Sequence, residues 1–202
     1  GEDVTIFESV APDTDIVYAG DDVMAGAVIF NKGTLITAPM LGVLASQGFD
    51  QIPVYKKPVI MILNTGTELV EVGRPLPPAA IYNSDVYTLS GYLKDLGADA
   101  RNAGVVEDDP DAIAGRIAEA LKDADMVITT GGASVGDYDW AVTSAEKLGA
   151  EVLFWKTKMK PGGSLMAAVS GGKVILGLSG NPGAAVLGLI RIAMPYIRKL
   201  CG

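Results

Sequence analysis

Histidine is missing from all 202 residues, which removes His-based catalytic triads and His-rich metal centres from consideration. Cysteine occurs once, at Cys201, so no intramolecular disulfide can form; this reads as a reducing, cytoplasmic setting. Basic runs are scarce: no stretch holds more than two consecutive Lys/Arg residues and the net charge is −8, which argues against a nucleic-acid-binding face. Long apolar runs are also lacking. The most apolar late stretch, 184–197, is broken by Arg191 and Pro195 and is too short to span a bilayer. The start, GEDVTIFESV, is acidic and has no apolar signal-peptide core.

What remains is a globular balance. Apolar residues make up 49% and charged residues 20%, enough to bury a real core within one large domain or a domain with a small companion. The acidic total leaves anionic ligands open, because backbone amides and a few placed lysines bind them locally.

Residues 1–56 differ from the rest and read as a small β-containing appendage. Val28-Ile29-Phe30 and Thr34-Leu35-Ile36 flank the turn Asn31-Lys32-Gly33 as short strand candidates. The segment 39–48 (PMLGVLASQG) reads as a short helix stopped by Gly48. From 57 onward strands and helices alternate. Strands are expected at 59–63, 99–106, 126–130, 152–155, 165–169 and 174–178, the first an apolar run suited to burial on both faces. Helices are expected at 84–96, from Asp109-Pro110, at 140–148, and from Asn181-Pro182 towards Leu200. Alternation of this kind predicts a three-layer α/β/α sandwich with a mostly parallel sheet.

Ligands of such sheets collect beyond the carboxyl ends of the strands, where four unusual loops fall. The first is 129–139, TTGGASVGDYD, between a buried strand and a helix. Glycines admit close backbone approach to an anion, and Thr130 and Ser134 add hydroxyl donors. Read alone, a Gly-Gly pair is more often a plain connector; the eleven-residue loop at the end of a central strand, dominated by Gly, Ser, Thr and Asp, favours an anion cradle instead. The second, 156–163, alternates Lys156, Lys158 and Lys160 before Pro161-Gly162-Gly163; alternation on a strand would turn all three lysines to one side, either as a solvated edge or around an anion. The third runs from Leu178 through Ser179, Gly180, Asn181 and Pro182 into a helix. The fourth is Asn64-Thr65-Gly66-Thr67-Glu68. Glu68, Asp85, Asp108 and Asp139 are placed to meet at one rim, a pattern suited to Mg²⁺ or acid–base work, though each alone is also a cap or a surface charge.

Taken together, the stretches NTGTEL (64–69), IYNSD (81–85), VVEDDPDAI (105–113), TTGGASVGDYD (129–139), MKPG (159–162) and GLSGNP (177–182) resemble the molybdopterin-binding domain of MoeA-type molybdenum insertases, in order and spacing from about residue 58 to 202. The resemblance implies the three-layer fold and a reaction of molybdenum cofactor synthesis. Adenylylated molybdopterin lies with its pyrophosphate on the glycine loops, molybdate binds beside it, AMP leaves, and the metal enters the dithiolene.

By matching position, the resemblance assigns Glu68, Asp108 and Asp139 to Mg²⁺, molybdate and hydrolysis; Asp85 joins them as a metal carboxylate from its place on the same rim. Lys156 and Lys160 become cationic contacts. Thr65, Gly66, Thr130, Gly131, Gly132, Ser134, Val135, Gly136, Asp137, Pro161, Gly162, Ser179, Gly180, Asn181 and Pro182 become the binding loops. It further implies an adenylyltransferase partner enzyme, a homodimer in which an N-terminal domain of one chain completes the other's site, and family domains beyond both ends of these residues. Thr67, Asn83, Gly163-Ser164 and Ser179 depart from the usual pattern, which keeps a non-catalytic molybdopterin- or nucleotide-binding module as the alternative. An adenylylating enzyme or a CinA-like hydrolase fits less well, since Ala133-Ser134-Val135-Gly136 follows the double glycine.

Overall fold

The computed structural model describes residues 3–131 and 140–202. The chain divides into two compact units, Gly1–Gln51 and Ile52–Gly202. The first holds one helix, α1 (Ala38–Ser46), with Pro39 in its first turn. Its chain reverses at Gly48, which takes φ +81, and Phe49 N–H closes the end on the Leu44 carbonyl at 3.1 Å.

Among the described residues of this unit there is no strand, which corrects the expectation of a β-containing appendage. The turn at Asn31-Lys32-Gly33 does form, with Thr34 N–H donating to Asn31 O at 3.2 Å. Its flanks do not pair: Val28 and Leu35 stay 77% and 81% exposed. Two short strands without a third strand or a covering helix are marginal in water, so turn chemistry alone does not produce a sheet.

The second unit is an α/β sandwich. Its strands are β1 (Val59–Thr65), β2 (Leu69–Val70), β3 (Ile81–Tyr82), β4 (Asp99–Val106), β5 (Met126–Thr130), β6 (Glu151–Trp155), β7 (Met166–Ser170) and β8 (Lys173–Leu178). Six form the main sheet in the order β4-β1-β5-β8-β7-β6, and β2 pairs with β3 apart from it. β4, β1, β5 and β8 are parallel. β7 runs antiparallel to both β8 and β6, so β6 points the same way as β8.

Period-two alternation along the central strands feeds two cores. Ile60, Ile62, Met126, Ile128, Leu176 and Leu178 face one side, against α2 (Asp85–Asp95), α5 (Pro182–Gly188) and α6 (Met194–Cys201). Val59, Leu63, Val127 and Ile175 face the other, against α3 (Pro110–Asp123) and α4 (Trp140–Lys147). Leu89, Ile117 and Ile128 are fully buried, each contributing about 1.5–3 kcal/mol of transfer free energy. Asp109 caps α3, accepting from Ala112 N–H at 2.7 Å, with Pro110 in the first turn.

The last helix is not continuous: a π-helical segment, Leu189–Ala193, joins α5 to α6. Pro195 in the first turn of α6 has no N–H to return to the preceding turn, which accounts for the wider segment just before it. Among the described residues no helix is long and apolar enough to cross a membrane.

Candidate functional site

Strand direction places the ends of β1, β4, β5, β6 and β8 on one sheet edge, so the segments beginning at 66, 107, 131, 156 and 179 all leave from it. Three of them are packed backbone to backbone. A Cβ built on Gly131 (φ +85) would lie 2.2 Å from Thr65 O and 2.8 Å from Thr65 Oγ1. One on Gly180 would lie 3.1 Å from the Gly131 Cα. Only glycine permits this contact at 131, where both the close approach and the left-handed backbone exclude a side chain. Gly66 N–H donates to Val106 O at 3.2 Å, tying the β1 exit to the end of β4. The 156–163 segment joins through Gly162, where a Cβ would stand 3.3 Å from Ala184 O.

The structure therefore brings Thr65, Gly66, Thr130, Gly131, Gly162, Gly180, Asn181 and Pro182 to one edge. Asn181 caps α5, its Oδ1 accepting from Ala184 N–H at 3.2 Å, while its own N–H donates to Ser179 Oγ at 3.2 Å. Gly132, Ser134, Val135, Gly136, Asp137 and Asp139 lie outside the described residues.

One geometric expectation fails. Lys156, Lys158 and Lys160 do not alternate along a strand, because β6 ends at Trp155 and Lys156 takes φ +65. The segment instead closes into a turn, with Lys156 N–H on Leu165 O at 2.8 Å and Thr157 N–H on Gly163 O at 2.9 Å. Lys156 Nζ stacks 4.1 Å from the Trp155 ring centroid. The Lys160–Pro161 peptide is cis.

The acidic residues fall into three environments. The exposed Glu68 folds its carboxylate over Gly66, 2.8 Å from where a Cβ would sit. Asp85 opens α2, is 7% exposed and has an oxygen without a hydrogen-bond partner. Burial raises its pKa from the ordinary 3.8 to about 6. Asp108 also holds a buried oxygen without a partner, and the helix cap beside it belongs to Asp109. Among the described residues no group of three His, Cys, Asp or Glu side chains is disposed to hold a metal, so Glu68, Asp85 and Asp108 do not converge as a trio.

A buried polar network beneath the edge was not foreseen. Asn64 is fully buried and donates to Thr130 Oγ1 at 2.5 Å, and Asn83 Nδ2 donates to Asn64 Oδ1 at 3.3 Å and to Glu71 Oε1 at 3.4 Å. The available signal was a polar Asn64 directly after an apolar run on a strand buried on both faces. A cavity of about 580 Å³ lined by Lys56, Lys57, Val59, Asp99 and Arg101 lies at the opposite edge, where β1 and β4 begin, far from these loops.

The family model described as "Probable molybdopterin binding domain" matches residues 61–199. The molybdopterin molybdenumtransferase of Bacillus subtilis (strain 168) is 39% identical over 184 residues, aligning 91% of this chain with 43% of that protein. The protein of the same name from Nostoc sp. is 37% identical over 181 residues, covering 88% of this chain and 42% of its own length. The crystal structure of a molybdopterin biosynthesis moea protein from Pyrococcus horikosii superposes with a TM-score of 0.87 at 26% identity, over 98% of this chain and 49% of that one. The chain thus spans less than half the length of these relatives.

Proposed function

Because the chain belongs to the molybdopterin-binding domain family, whose model spans residues 61–199, we propose that it forms the part of a molybdenum insertase that holds adenylylated molybdopterin. The observation that carries this reading is the stack of Thr65, Gly131 and Gly180 backbones at the carboxyl edge of the sheet. Such a surface offers amides and hydroxyls without intervening side chains, which is what a pyrophosphate requires.

In the proposed site the pyrophosphate rests on Thr65, Gly66, Thr130 and the 131–137 glycine loop, with Ser179 through Pro182 as the second wall. Lys156 and Lys160 supply the cationic contacts beside Pro161 and Gly162. Glu68, Asp108 and Asp139 are the acidic groups. One of them takes a proton from water as the water oxygen bonds to the adenylyl phosphorus; the bond from that phosphorus to the bridging oxygen breaks and AMP leaves. Asp85 and Asp108 each hold a buried oxygen without a partner, the donor type a hard cation accepts; because Glu68, Asp85 and Asp108 do not converge, Mg²⁺ would be held by one of these two with Asp139 rather than by all four carboxylates together. When bound it neutralises phosphate charge. Molybdate is the co-substrate. The reading includes a cytoplasmic, homodimeric full-length protein supplied by an adenylyltransferase.

The test uses the full-length protein with adenylylated molybdopterin, molybdate and Mg²⁺, and measures AMP. Stoichiometric or catalytic release supports the insertase. Retained binding without AMP rejects it in favour of a non-catalytic binding module.

A further inference from the structure

The chain Glu71–Asn83–Asn64–Thr130, buried except at the half-buried Glu71, has a direction. An ionised carboxylate only accepts hydrogen bonds, so the Asn83 atom facing Glu71 Oε1 at 3.4 Å is its NH₂ group. The same NH₂ meets Asn64 at 3.3 Å, so Asn64 presents its carbonyl oxygen there. Asn64 must then turn its own NH₂ to Thr130 Oγ1, which accepts at 2.5 Å. Each amide orientation follows from the one before it, and the carboxylate at the end sets them all. Asn64 and Asn83 are 0% and 1% exposed, so water cannot substitute for either.

The consequence falls on Thr130. Its oxygen accepts from Asn64, so its own O–H proton is available to donate. Thr130 is the last residue of β5, directly before Gly131, whose backbone packs on Thr65. We propose that Glu71, Asn83 and Asn64 are positioning residues that hold the Thr130 hydroxyl as a hydrogen-bond donor to a phosphate oxygen of a ligand at the Gly131 turn. This rests on the phosphate-loop reading above and goes beyond it: it assigns a role to three residues that lie under the site and do not touch the ligand. A hydrogen bond from a fixed hydroxyl to a charged oxygen is stronger than a neutral one, provided the hydroxyl need not reorient first.

The experiment titrates the chain with inorganic pyrophosphate by calorimetry, with thermal melts to confirm that each variant is folded. Thr130→Val should weaken binding about tenfold, and Thr130→Ser should restore it, since only the hydroxyl is at issue. Glu71→Gln is the discriminating variant. Removing a negative charge near an anion site should by itself tighten binding, through relief of Coulomb repulsion. The relay requires the opposite, a several-fold weakening, because a glutamine amide can accept or donate and no longer fixes the direction. In the ligand-free protein, the same variant should speed hydrogen exchange of the Asn64 and Asn83 side-chain amides. Tighter or unchanged pyrophosphate binding by Glu71→Gln, or Thr130→Val equal to wild type, overturns the relay while the phosphate loop stands. Failure of the wild-type chain to bind pyrophosphate overturns both.

Discussion

The Cα of Gly131 lies against the backbone of Thr65 so closely that a methyl group there would stand 2.2 Å from the Thr65 carbonyl oxygen. This contact joins the exits of β1 and β5, the two central strands of the site. Gly131→Ala must therefore push the strand ends apart as well as adopt φ +85. The expected cost is on the order of 3 kcal/mol in urea unfolding, above the roughly 1 kcal/mol of a typical substitution. Gly91→Ala, in α2 with open space around its Cα, is the control and should be neutral or stabilising. Equal effects at both glycines would mean that the contact does not constrain the fold.

Much of the architecture was readable because its signals are local. β4 and β5 coincide with the expected 99–106 and 126–130, and the Asp109-Pro110 cap is where a capping acid and a first-turn proline place it. Features fixed by distant partners were not readable. β7 is the exception, since Gly171-Gly172, both at positive φ, form a two-residue hairpin link to β8; the direction of β6 depends on its pairing with β7 and has no such local signal. The lysine segment misled because the alternation rule assumes a strand, and the left-handed Lys156 ends it. At the site, the glycine loops were legible as motifs, whereas the bridge from Asn64 to Asn83 and Thr130 spans residues far apart in sequence.

Asp85 makes stability depend on pH in a definite direction. Its folded pKa stands near 6, against an ordinary 3.8. Below about pH 4 both states hold the proton and burial carries no ionisation penalty. Between 4 and 6 the unfolded chain ionises while the fold retains the proton, so stability falls as pH rises. Above 6 the loss is complete, about 2–3 kcal/mol. Asp85→Asn removes the penalty: in chelator it should raise the urea midpoint at pH 8 and leave it nearly unchanged at pH 4. Added Mg²⁺ should recover part of the difference in the wild-type chain if Asp85 is a ligand. A shift independent of pH would show that the substitution acts through packing instead.

Asn181 links a helix cap to the site. Its side chain accepts from Ala184 N–H at 3.2 Å, so Asn181→Ala should cost about 1 kcal/mol of stability. Asn181→Asp keeps the acceptor and adds a negative charge that the helix start favours, so stability should hold or rise slightly. The same charge opposes an anion on this turn, so pyrophosphate affinity should drop. Calorimetry and melts should move apart for Asp and together for Ala. Unaltered affinity in Asn181→Asp would remove this turn from the anion site.

Glu68 offers the cleanest separation of chemistry from stability. It is exposed, and its carboxylate, which among the described residues makes no hydrogen bond or ion pair, rests over Gly66, while its backbone carbonyl accepts from Ile81 N–H at 2.9 Å. Glu68→Gln should therefore leave unfolding within about 0.5 kcal/mol of wild type, as an exposed substitution does. If Glu68 handles a proton during AMP release, the same change should slow that release in the full-length protein by about 10²-fold or more. Ligand affinity should change little, because in the proposed site the phosphate contacts come from the glycine backbones and lysines rather than from this acid. Single-turnover AMP formation and equilibrium binding, measured on one preparation, distinguish the cases. A parallel loss of both, in a protein that melts normally, would place Glu68 in binding and leave the proton to Asp108 or Asp139.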